Sequence, residues 1–179
     1  MINYSNLDDV PIQLLNDKEF ILQFINENEH TNLVDNIYFY IGESLLNDKD
    51  IFLKISTISP GWYSKFPEEM KTDKDIAYNA VGGYSNNFKN LPNHLKDDKD
   101  FIISIINYCP DHLMTLNTNL LNDIDILKLL RMHKNHFNSY GETHKKWFIE
   151  RMNVLDIYEY EESLKEIINP KVKNKNHKF

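Results

Sequence analysis

Polar clusters and apolar runs alternate along this chain, and one version of the alternation returns five times. LLNDKEFILQFI at 14–25, LLNDKDIFLKIS at 45–56, MKTDKDIAYNAV at 70–81, LKDDKDFIISII at 95–106 and LLNDIDILKLLR at 120–131 align on Asp17, Asp48, Asp73, Asp98 and Asp123. The spacings are 31, 25, 25 and 25 residues. After each aspartate the apolar residues recur at i, i+1, i+4 and i+5, as in Phe20, Ile21, Phe24 and Ile25 or Phe101, Ile102, Ile105 and Ile106. That period predicts a main helix with one buried face. The preceding residue, Asn16, Asn47, Thr72, Asp97 or Asn122, is expected to be the N-cap, because its side chain can accept from an unpaired backbone N–H. Three residues later an acid, Glu19, Asp50, Asp75, Asp100 or Asp125, would close a capping box. Helix ends are expected near Pro60, at a Gly82-Gly83 C-cap, and near Pro110.

A shorter apolar pattern precedes each motif: Tyr63, Phe66 and Met70, then Phe88, Leu91 and Leu95, then Leu113, Leu116 and Leu120. Spacings of three and four predict a short helix, with Pro67 and Pro92, and Pro11 in the first unit, in its first turn. Neither helix of a pair can bury its apolar face alone, so neighbouring units must stack. The expected fold is all-α, an α-solenoid of about five short-helix/long-helix repeats of ~25 residues. Repeats would occupy about 10–137, with six extra residues around His30–Tyr40. HKNHFNSYGETH reads as a connector. One or two capping helices would follow at about 142–169, with Trp147, Phe148, Met152 and Leu155 on the last repeat. A single helical-repeat domain over 1–170 and a flexible basic tail over 170–179 complete the expected organisation.

Units of this form, a hydrophobic–x₃–hydrophobic–x₂–Asp–[Lys/Arg]–[Asp/Glu] run before an apolar helix every 25 residues or so, resemble the repeats of domain of unknown function 4116. The likeness covers roughly 10–137 and is best across 66–131. Small helix residues such as Ala77 and Ala80 follow the family pattern; Phe101, Ile105 and Leu130 are bulkier, and Ile124 replaces the lysine of the other units. The resemblance implies a helical scaffold and brings no catalytic residue with it.

Composition narrows the options. Only five glycines occur in 179 residues, which argues against all-β folds and phosphate loops. The formal charge is −7; setting aside Lys171, Lys173, Lys175 and Lys178 leaves −11 on residues 1–170. Such a body repels nucleic acid and suits a basic partner surface. Cys109 is the single cysteine, so no internal disulfide can form. MINYSNLDDV lacks the features of a secretory signal, and no apolar run is long enough to span a membrane, so a cytoplasmic protein is expected.

Four features of the sequence are candidates for chemistry or binding. The repeated D-K-[DE] could bind a hard cation, but catalytic clusters do not recur in every repeat of an array. His133 and His136, with His144 nearby, could begin a zinc site, yet no cysteine or carboxylate completes the pattern. Cys109 with His112 could form a nucleophile pair, and a buried structural thiol is the better reading. Trp62, Tyr84 and His112 fall in successive inter-helix turns and are candidate partner anchors, as is the acidic, tyrosine-rich run Asp156, Tyr158, Glu159, Tyr160, Glu161 and Glu162. The expected function is a non-enzymatic protein–protein interaction scaffold without cofactors. Its most specific form is an acidic immunity or inhibitor protein that neutralises a basic bacterial toxin domain. An effector or viral scaffold binding a host protein is the alternative, with a hydrolase or metal-dependent enzyme behind it.

Overall fold

The computed structural model describes residues 7–29, 36–139 and 141–168. The tail at 170–179 and the part of the insertion at 30–35 lie outside them. Among the described residues the structure is all-α, without strands. The α-helices are α1 (Ile12–Leu15), α2 (Lys18–Asn28), α3 (Lys49–Ile58), α4 (Glu68–Lys71), α5 (Lys74–Gly83), α6 (Asn93–Lys96), α7 (Lys99–Ile105), α8 (Thr118–Leu121), α9 (Ile124–Met132), α10 (Lys134–Ser139) and α11 (Glu142–Ile168). The chain divides into two compact units, Met1–Cys109 and Pro110–Phe179, and the division falls within the repeat array.

In the first unit the main helices stack in sequence order, α2 on α3, α3 on α5 and α5 on α7. The 3₁₀ segment Pro60–Lys65 packs against α3, α5 and the next 3₁₀ segment, Ser85–Asn90. This nearest-neighbour stacking is the arrangement of a helical-repeat array. Its core holds Ile21, Phe24, Ile51, Phe52, Ile55, Ile76, Ala80 and Ile102, all fully buried. In the second unit α9 and α10 both pack on α11. Phe148 and Leu155 of α11 are buried there, with Phe137 stacked on Phe148.

Three local expectations need correction. The caps are the aspartates themselves, one residue later than expected: Asp17, Asp48, Asp73, Asp98 and Asp123 have extended backbone and accept from N–H groups two or three residues on. Asn16, Thr72, Asp97 and Asn122 instead close the preceding short helix. An Asp that caps leaves the lysine as the first helical residue and the following acid as the second, one position too early for a capping box.

The short helix is also not continuous. It is a 3₁₀ segment, an extended residue and a four-residue α-helix, as in Pro60–Lys65, Phe66 and Glu68–Lys71. Proline explains the break, because it disfavours helical backbone in the residue before it; Phe66 and Leu91, which precede Pro67 and Pro92, are extended. Pro11, Pro67 and Pro92 are the N-caps of α1, α4 and α6. The apolar positions are nonetheless all buried, from Tyr63 at 0% exposure to Met70 at 9%. Finally, the segment read as a connector contains α10, and one helix of 27 residues follows it.

Candidate interaction surface

The recurring charged motif has two structural jobs. Each aspartate caps its own helix, and within the first unit Lys18, Lys49 and Lys74 reach the motif of the next repeat. Lys18 Nζ lies 2.9 Å from Asp48 and 2.6 Å from Asp50; Lys49 Nζ lies 2.7 Å from Asp73 and 3.3 Å from Asp75; Lys74 Nζ lies 2.5 Å from Asp98. A ladder of ion pairs therefore runs along the helix starts of the first unit. Burial alone would raise the Asp48 and Asp73 carboxyls, but the neighbouring lysine and the capped N–H groups outweigh it and hold both below the ordinary value. Asp98 is held down mainly by Lys74, then by the N–H of Phe101.

Sequence reasoning missed this role of the lysine, although the signal was visible. Ile124 replaces lysine in the fifth unit, the one with no further motif to reach.

These pairings form across both the 31-residue and the 25-residue spacings, and they place the family likeness. Residues 48–96 match the family described as Domain of unknown function (DUF4116). The matched segment opens on the Asp48 cap, contains α3 to α6 and ends two residues before the Asp98 cap, so it covers two repeats in register but for their last residue. Both rungs anchored on Lys49 lie within it. No curated protein and no solved structure matches the chain.

The candidate anchors outside the motif have varied surroundings. Trp62 is half-buried: its ring stacks on Tyr38 at 6.2 Å and meets Phe39 edge-on at 4.7 Å. Phe39 itself is 63% exposed, so the DUF4116 segment and the insertion before it present an aromatic edge. Beside Trp62, a shallow depression is lined by Ile58, Ser59, Pro60 and Gly61. Tyr84 is exposed, and its hydroxyl accepts from Asn86 Nδ2 at 3.0 Å. His112, in the second unit, is half-buried in the 3₁₀ segment Pro110–Thr115.

The acidic run lies on α11. Asp156, Tyr158, Tyr160 and Glu161 are exposed, while Glu159 and Glu162 are half-buried. Glu159 accepts from both Arg131 Nη atoms at 3.1 and 2.9 Å, and this pairing lowers its pKa. Glu162 pairs with Lys165 at 2.7 Å.

The remaining chemical candidates resolve into structural contacts. His136 Nε2 lies 2.7 Å from Asp111 Oδ1. Burial, then the nearby His136, lowers the pKa of His133. Among the described residues no group of three or more His, Cys, Asp or Glu side chains is arranged to hold a metal ion. Cys109 is buried and its thiol donates to the Ile105 carbonyl at 3.4 Å. Gly83 is not a left-handed C-cap. A Cβ there would sit 2.6 Å from Pro60 Cγ, so glycine permits the end of α5 to approach Pro60.

Proposed function

We propose that the chain is a protein-binding helical-repeat module that captures a basic partner. One contrast carries the reading. The recurring aspartates cap helices, and Lys18, Lys49 and Lys74 with their partners form the ladder, whereas aromatic and acidic side chains that do not recur stand exposed. Phe39, Tyr84, Tyr158 and Tyr160 are the aromatic part of that set. Asp156 and Glu161 are the acidic part. Rigid aromatics in a polar surround are the usual anchors of protein recognition. The net charge of −11 over residues 1–170 would steer a basic surface toward them.

Toxin neutralisation is the specific form of this proposal, since an acidic inhibitor would cover a basic active site. The test is reconstitution from two purified proteins after affinity capture. A stable complex whose association slows as salt rises is expected. Failure to reconstitute any complex overturns the module reading. Failure to protect cells expressing the captured partner overturns only the toxin-neutralising form.

A further inference from the structure

Helix α11 is apolar on two opposite sides. Phe148 and Leu155, seven residues apart, form its buried face. At 100° per residue, Ile157, Tyr160 and Leu164 fall on the far side of the same helix. Their spacing of three and four makes a single stripe. They are 60%, 65% and 37% exposed, and the stripe ends at Ile157, because Asn153 and Lys146 continue its line toward the helix start. An amphipathic surface helix needs only one apolar stripe, and a second stripe opposite the first is the mark of a helix covered on both sides.

Charge selects the occupant. Asp156 and Glu161 flank the stripe, one on each side. Arg131 acts on Asp156 and Lys165 on Glu161 through space, but their hydrogen bonds go to Glu159 and Glu162. A second copy of this helix would bring carboxylates against carboxylates along both edges, which is unfavourable. A helix with apolar seam positions and lysine or arginine beside them would satisfy the stripe and both edges together.

We propose that the outer face of α11 docks a basic amphipathic helix of a partner protein. This deepens the protein-binding reading and rests on it. The face is a two-sided seam: the body grips one side through Phe148, Leu155 and the Arg131–Glu159 pair, and the partner helix takes the other.

Two synthetic three-heptad peptides test it, both with leucine in the seam, one flanked by lysines and the other by glutamates. Titrated against the full chain, the lysine-flanked peptide is expected to bind, and the glutamate-flanked one on the order of tenfold more weakly or worse. Ile157→Glu with Leu164→Glu should abolish binding while the circular dichroism spectrum stays that of the parent. Asp156→Lys with Glu161→Lys should reverse the preference, a gain that misfolding cannot imitate. Equal binding of both peptides, binding of neither, or an unchanged preference in the lysine variant overturns the proposal. So does a dimer of the chain alone that Ile157→Glu dissociates, because the stripe would then belong to a second copy. A reconstituted partner complex indifferent to Ile157→Glu and Leu164→Glu also overturns the docking face, but leaves the module reading standing.

Discussion

Asn87 shows how much one polar side chain can organise in this fold. It is 1% exposed, and its Nδ2 donates to the carbonyls of Pro60 at 2.7 Å and Ala80 at 2.9 Å. One amide thus ties its own 3₁₀ segment to the preceding one and to α5. Asn87→Ala would remove both bonds, with the Ala80 carbonyl keeping its bond from the Tyr84 N–H, and should cost about 1–3 kcal/mol in a urea unfolding titration. Asn87→Asp should be worse, because a carboxylate cannot donate to either carbonyl. Tyr63 is fully buried, and its hydroxyl donates to the Lys71 carbonyl at 2.9 Å. Burial, with Glu68 adding to it, pushes the phenol upward, so it stays protonated. Gly83→Ala should destabilise by forcing α5 away from Pro60, read as a lower Tm with an unchanged helical spectrum. Sequence alone marked Tyr63 as core and Gly83 as special, but the reason for the glycine needed Pro60, 23 positions away, to be in view.

Helices are where the caps and the ladder act. Because Asp73 caps α5, Asp73→Ala should lose about 1 kcal/mol. Thr72→Ala should lose less, because the Thr72 hydroxyl only donates back to the Glu69 carbonyl. The pair of variants, compared by chemical unfolding, decides the cap assignment directly. Asp48, Asp73 and Asp98 are all depressed relative to an unfolded carboxylate. Their contribution to stability is therefore complete above the unfolded value of about 4 and is lost as pH falls through the lower folded values. Tm should drop steeply below about pH 4, and Lys49→Met should make that drop shallower by removing the partner of Asp73 and Asp75. Ala77 and Ala80 of α5 are fully buried, and α5 packs against α3, α7 and the flanking 3₁₀ segments. Ala80→Leu would overfill that packing and should cost about 1–3 kcal/mol, again by urea unfolding. The apolar period located every main helix, and the 25-residue interval fixed their order. Cap positions slipped by one because Asn, Thr and Asp are all good caps, and only backbone angles separate the cap from its neighbour.

For the whole molecule, the repeat supplies a scaffold and the departures from it supply the surface. An all-α repeat array was determined by the sequence itself, because hydrophobic periodicity and a recurring start signal are local properties that any window of the chain displays. So were the buried seams, the acidic character and the likeness to DUF4116 repeats. Three things were decided only by tertiary structure. The lysines of the first three motifs acquire their partners from the next repeat, contacts between residues 24 to 32 positions apart. The aromatic edge forms because Tyr38 and Phe39 are brought onto Trp62 from the preceding unit. The two sides of α11 become distinguishable only when the body covers Phe148 and Leu155 and leaves Ile157, Tyr160 and Leu164 exposed. Periodicity reports that a side chain is apolar and which residues share its face. Whether that face is sealed within the chain or left for a partner depends on what lies opposite it, which no local pattern encodes.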